Sequence, residues 1–141
     1  MRIEVECRIE APIDAIWRAF NDPADIVRWD ASEDWRVIEA SNDLQVGGQL
    51  RLRMAAGAVA ADGDAESELV ALYTRIEPGR LIEWRMGDGR HVSVAFLATG
   101  ATTLLQQSFD AEEGIAPEVQ RQDWQTVLDR FAGYVTARSG A

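Results

Sequence analysis

The sequence predicts an α+β domain in which an antiparallel sheet of about seven strands carries one long helix across its face. Three observations predict it. The last stretch, Pro117 to about Arg138, places Trp124, Val127, Leu128, Phe131, Tyr134 and Val135 at i, i+3, i+4, i+7, i+10 and i+11, one apolar stripe at the helical period. Most of the remaining chain alternates with period two, as half-buried strands do. Short segments containing Gly or Pro separate those runs closely enough for a meander. A long amphipathic helix needs an apolar surface to lie on, and a sheet is the only one this chain offers.

The elements follow in order. Arg2 to Ile9 puts Ile3, Val5, Cys7 and Ile9 on one face of a strand and charged residues on the other. Ala11-Pro12 opens a short helix with Pro12 at its first position and Ile13, Ile16, Trp17 and Phe20 as its buried stripe. Asn21-Asp22-Pro23 breaks it and starts a second, with Asp22 as cap, Pro23 at the first position, Asp25 in the first turn, and Ile26 and Trp29 as apolar contacts. Trp35 to Ala40 reads as the next strand. Leu44 to Gly48 turns into another, on which Leu50, Leu52 and Met54 alternate with Gln49, Arg51 and Arg53. Ala55 to Asp64 reads as a hairpin loop, and Glu66 to Ile76 as a long strand whose facing is ambiguous. Pro78-Gly79 leads into Leu81 to Met86, Gly87-Asp88-Gly89 into Arg90 to Ala98, and Thr99-Gly100-Ala101 into Thr102 to Phe109. The final helix follows an acidic loop, with Pro117 and Glu118 suited to its first turn.

Bulk composition narrows the function. The 141 residues suit one domain with a real core, and 47% hydrophobic content excludes disorder. No apolar run is long enough to cross a bilayer, and the N-terminus reads as a strand rather than a signal peptide. The single Cys7 cannot form an internal disulfide, so a reducing cytoplasm is the expected address; on its strand Cys7 reads as a small core residue rather than a nucleophile. Every basic residue is Arg, which points to a high-GC bacterial genome. A formal charge of −10 argues against nucleic acid or an anionic membrane as partner, since both reward clustered positive charge.

Several motifs together resemble the START-like (SRPBCC, or Bet v 1-like) helix-grip superfamily. Within it, the sequence is similar to the group named for the activator of heat-shock-protein-90 ATPase, which also holds polyketide-cyclase-like members. The carriers are Ala11-Pro12, Ile16-Trp17-x-Ala19-Phe20, Asp22-Pro23 and Trp29; then Val46-Gly47-Gly48 with Leu50 and Leu52; then Ile76-x-Pro78-x-Arg80-Leu81 with Trp84; and finally Trp124-x3-Leu128-x2-Phe131-x2-Tyr134-Val135. The resemblance covers nearly the whole chain. It implies a strongly curved sheet gripping the C-terminal helix, two short helices closing one end, and a cavity between sheet and helix for apolar or amphipathic small molecules. It also implies pairing into a homodimer. Two departures bear on that cavity: Asp123 stands where the family often has Gly, and Ala71 and Arg75 flank Tyr73 where Gly and Glu are usual.

The residues point to the same cavity. Five Trp, three Met and two Tyr are rich for this length and suit the lining of a ligand site of ~300–1,000 Å³ as well as a solid core. The candidate ligand-binding residues are Trp29, Met54, Tyr73, Trp84, Met86, Gln107, Trp124 and Leu128. Gln107 shares parity with Thr103, Leu105 and Phe109, so its amide either orients a ligand's carbonyl or hydroxyl or bonds across the sheet; a bulge would put Gln106 there instead. His91 has the opposite parity to Val92, Val94 and Phe96 and reads as a solvent-facing strand-end residue. Asp62-x-Asp64-x-Glu66-x-Glu68 lacks the Gly and Glu of a calcium loop and reads as a solvated acidic hairpin. Arg51, Arg53, Arg75 and Arg85 are expected in cross-strand ion pairs. No metal spacing, phosphate loop or nucleophile elbow is present, so no metal, cofactor or catalytic set is assigned.

Three functions follow in order of preference. The first is non-enzymatic binding of a lipid-, aromatic- or polyketide-like molecule. The second is a polyketide cyclase or aromatase, which needs a titratable group in the cavity, with Glu83, Arg75 and Tyr73 as weak candidates. The third, resting on the family resemblance alone, is a co-chaperone-like activator of the heat-shock-protein-90 ATPase.

Overall fold

The computed structural model describes residues 2–31, 35–56 and 66–139. The elements run β1 (Arg2–Ile9), α1 (Ile13–Asn21), α2 (Pro23–Trp29), β2 (Trp35–Asn42), β3 (Gln49–Ala56), β4 (Glu66–Glu77), β5 (Leu81–Met86), β6 (His91–Thr99), β7 (Thr102–Asp110) and α3 (Pro117–Ser139). The seven strands form one antiparallel sheet ordered β1-β7-β6-β5-β4-β3-β2. β2 to β7 are therefore a meander, and β1 closes onto its far end. Of the hairpin loop expected over Ala55 to Asp64, Ala55 and Ala56 belong to β3, and the rest, with Asp62 and Asp64 of the acidic run, lies outside the described residues; Glu66 opens β4, and Glu68 pairs with Arg51 at 3.5 Å on the outer face.

Alternation decides which face of the sheet is inside. Ile3, Val5 and Ile9 of β1, Val92, Val94 and Phe96 of β6, and Leu105 and Phe109 of β7 are buried, as their parity requires. β4 explains its ambiguous pattern. Its register with β5 shifts between Tyr73 and Arg75, where Tyr73 opposes Trp84 but Arg75 opposes Glu83. The bulge at Thr74 consumes one residue, so Ala71 and Tyr73 point inward before it and Ile76 after it. Parity read across the whole strand cannot be consistent. Although Arg75 stands opposite Glu83, it pairs with Glu77 on its own strand at 2.6 Å, whereas Arg53 reaches Glu39 across the β2–β3 pair at 3.1 Å.

The helices sit on the inner face. α3 has 23 residues, a rod about 34 Å long at 1.5 Å per residue. Leu128, Phe131 and Val135 are its buried stripe, and the Gln125 side chain donates to the Glu6 carbonyl of β1 at 3.0 Å. α1 begins at Ile13, so Pro12 is its cap rather than its first residue. α2 starts as expected: Pro23 opens it, and Asp22 accepts from the Ala24 N–H at 3.0 Å. Tyr134 of α3 donates its hydroxyl to Asp25 of α2, tying the long helix to the short pair. Among the described residues no helix is long and apolar enough to cross a membrane.

Candidate functional site

Two local features set the site's ends. At one end, aromatic rings from three helices and β6 interlock. Phe20 meets Trp29, Phe96 and Phe131 at centroid distances of 5.5, 5.5 and 5.4 Å, and Trp29 meets Phe131 edge-on at 4.7 Å. The Trp29 indole N–H donates to the Ala19 carbonyl at 2.8 Å, which fixes the ring between α1 and α2. At the other end, Gln120 of α3 clamps the preceding loop: its amide oxygen accepts from the Glu112 N–H at 2.7 Å, and its amide nitrogen donates to the Glu112 and Ile115 carbonyls at 3.0 and 2.9 Å. This loop and the start of α3 therefore hold one position above the sheet.

Between these ends the helix stands off the sheet and leaves a cavity of about 510 Å³. From the sheet, Met54, Trp84, Met86 and Gln107 line it; from the helices, Trp29, Trp124 and Leu128 do. Trp29 is both core and wall, since it lines the cavity while only 7% exposed. Gln107, not the exposed Gln106, faces in, and no hydrogen bond to its amide occurs among the described residues. Lining residues that are also exposed, Ser67, Ile115 and Asp123, mark the open side. Asp123, standing where the resembled family often has Gly, thus puts a carboxylate at the opening.

Tyr73 is placed elsewhere. It is 2% exposed and does not contribute to the wall. Its hydroxyl donates to Asn42 Oδ1 at 2.7 Å, while the Asn42 amide donates to the Asn21 carbonyl at 2.8 Å. Burial pushes the phenol up to about 12, against the smaller opposing effect of the Asn42 bond. Tyr73 faces inward opposite Trp84, and its hydroxyl is tied to Asn42 of β2, which in turn holds the end of α1, so the ring performs a structural task. Glu83 and Arg75 also lie outside the wall, and His91 is exposed, its N–H donating to Asp110 at 2.8 Å.

The sequence reading missed several wall residues. Leu50, Leu52 and Leu69 share a face with Met54, and Val127 lies three residues from Trp124, so parity and helical period could have found them. Asp30 carried no such signal. It caps the C-terminus of α2, its N–H donating to the Ile26 carbonyl and its carbonyl accepting from the Val37 N–H, both at 2.9 Å. Asp30 lines the cavity, and burial pushes its carboxyl up to about 7. Among the described residues, the other charged lining groups are Arg90, Glu112 and Asp123; Arg90 bridges Asp88 at 2.7 Å and Glu112 at 3.4 Å. The cavity can thus hold an apolar body, stack it against indoles, and offer a carboxyl and an amide to polar groups.

The comparisons agree with this architecture. A family model described as activator of Hsp90 ATPase homolog 1-like protein matches residues 10–136. The solution structure of an AHSA1-like protein from Aeromonas hydrophila is 40% identical with a TM-score of 0.87, covering 98% of this chain and 94% of that one. A solution structure from Cytophaga hutchinsonii is 38% identical with a TM-score of 0.81, covering 97% and 93%. The Aha1 structure from Colwellia psychrerythraea, described as a dimer, shares the fold at 14% identity and a TM-score of 0.75, covering 96% of each chain. No curated protein matches the chain.

Proposed function

This chain belongs to the activator of Hsp90 ATPase homolog 1-like family, and on that premise we propose that it binds one small hydrophobic or amphipathic molecule, lipid-, aromatic- or polyketide-like, between the sheet and α3. The observation that carries this reading is the cavity of about 510 Å³ walled mainly by apolar side chains, Trp, Leu and Met foremost among them. That is the size and chemistry of small-molecule sites, ~300–1,000 Å³ and mostly apolar. Trp29, Met54, Trp84, Met86, Trp124 and Leu128 would give the ligand contact area, and the Gln107 amide would orient a carbonyl or hydroxyl. Titration with a polarity-sensitive fluorescent probe tests it. The probe should bind once per chain, and Leu50→Trp, which fills the cavity from a half-buried position, should abolish binding without unfolding the protein. A probe that ignores this substitution, or never enters, refutes the reading. The dimer described for the Colwellia structure supports a homodimer here as well, which sedimentation would reveal.

One observation favours a second reading, a cyclase- or aromatase-type enzyme. Asp30 is an acid in the wall whose carboxyl is displaced to about 7, the range in which a side chain both gives and takes protons near neutral pH. Such an enzyme should turn over a poly-ketone substrate and lose turnover, but not binding, in Asp30→Asn.

A further inference from the structure

We propose that this cavity selects amphipathic cations, molecules with an apolar body and a protonated amine, and that Asp30 is the residue that receives the ammonium group. The inference rests on the reading of the cavity as a ligand site and names its ligand class. Three features carry it.

The first is the state of Asp30. Asp30 lines the cavity with its backbone groups spent on Ile26 and Val37, which leaves its carboxyl, with no side-chain hydrogen bond among the described residues, as the polar group it can offer there. A carboxylate in an apolar wall is costly until a cation or donor reaches it. The second is the charge balance. Among the described residues, Asp30, Glu112 and Asp123 line the cavity against one cation, Arg90, and Arg90 is already held by Asp88 and Glu112. The whole chain carries −10. An anionic head such as a fatty carboxylate would find no free guanidinium among these groups and would be repelled by the carboxylates. The third is the aromatic content. Trp29, Trp35, Trp84 and Trp124 all line the cavity. Indole is the best cation–π partner among side chains, so the wall suits an ammonium and an apolar body together.

Ionisation links the proposal to pH. In the empty cavity burial alone holds the Asp30 carboxyl near 7. Among the described residues, the charged groups around it do not supply the missing cation. On α2, Asp25 is bonded to Tyr134 of α3 and Arg28 points to solvent; on β2, Arg36 is exposed; across the cavity stand Arg90, Glu112 and Asp123. An ammonium would bind the ionised form and pull the carboxyl's titration down. Its apparent affinity should scale with the ionised fraction, rising about tenfold from pH 6 to pH 8. An alkylamine stays protonated over this range, since amines of this type titrate at about 10.

The test is calorimetric titration of the full chain with octylamine, 1-octanol and octanoate at pH 6 and pH 8. Octylamine should bind at one site and on the order of tenfold more tightly than octanol at pH 8, with octanoate weakest. The amine's advantage should shrink at pH 6, and octanol should show no such change. Asp30→Asn should retain octanol binding and lose the amine preference and its pH dependence. The pH profile of the unaltered chain tests the proposal even if that variant folds poorly. The inference is overturned if octanol binds and octylamine is no tighter, if octanoate is tightest, or if the preference survives Asp30→Asn; in each case the cavity remains a ligand site. If none of the three binds, the inference and the reading it rests on fall together.

Discussion

Trp124 of α3 lies flat on Phe109 of β7, ring centroids 3.8 Å apart and planes at 12°. This stack is where the long helix meets the sheet beside the cavity, and it sets the height of the helix at that end. The indole's other surface is wall. Trp124→Ala should destabilise the fold by about 2 kcal/mol, less than a fully buried Trp would because the site is half open to the cavity. Trp124→Phe, which keeps a stacking ring, should cost less than about 1 kcal/mol. Urea denaturation of the two variants gives both values. Equal losses would mean that the stack does not hold the helix.

Gly48 is fixed by its neighbours. A Cβ there would stand 2.2 Å from the Asp43 carbonyl oxygen, and the Gly48 carbonyl accepts from the Tyr73 N–H at 3.0 Å, so the backbone has little room to retreat. Gly48→Ala should lower stability by about 2 kcal/mol or more. Gly47 has open space around it but φ +88, so Gly47→Ala should cost about 1 kcal/mol from backbone conformation alone. Thermal unfolding of the pair should rank Gly48→Ala as the worse.

Tyr73 should matter to folding and not to binding. Tyr73→Phe leaves Asn42 Oδ1 without its donor and should cost about 1–2 kcal/mol. Ligand affinity should not change, because the ring is outside the cavity wall. The phenol's folded value, about 12, lies above its ordinary 10. Its contribution to stability is therefore complete below pH 10 and is lost as pH rises through 12. Ultraviolet titration should show a tyrosine step well above pH 10, and Tyr73→Phe should remove the amplitude that Tyr73 contributes to it.

Asp30 makes the protein's stability depend on pH in the opposite sense from a paired carboxylate. Its folded value, about 7, lies above the ordinary 3.8. The stability it contributes is thus full below about pH 4 and is lost as pH rises through about 7. Asp30→Asn removes that loss. At pH 8 the variant should be more stable than the parent by about 1–2 kcal/mol, a discounted figure because the carboxyl keeps surface toward the cavity. At pH 4 the difference should vanish. A variant less stable at pH 8 would show that Asp30 has a partner in the fold.

Much of the cavity was legible beforehand for a simple reason. On β5 the inward positions Trp84 and Met86, and on α3 the stripe through Trp124 and Leu128, follow from periods of two and 3.6. Any cavity between those faces must use them. Gln107 was legible by the same parity because β7 runs without a bulge against β1 and β6. Tyr73 faces inward as parity with Trp84 requires, but its hydroxyl is held by Asn42, a partner on another strand that no periodicity within β4 could reveal.

The sequence by itself determined the α+β class, the order of the elements, the meander and the faces that meet. Those depend on local periodicity, capping and turn chemistry, which each segment carries within itself. Only the tertiary structure decided how far α3 stands from the sheet, that Arg75 turns to Glu77, and that Asp30 looks into an apolar space. The helix height and the surroundings of Asp30 depend on distances between segments remote in the chain, and the Arg75 pair on which neighbour the folded strand brings within reach. An aspartate at the end of a short helix reads the same whether water or a tryptophan-lined cavity faces it, and only the surroundings set its charge.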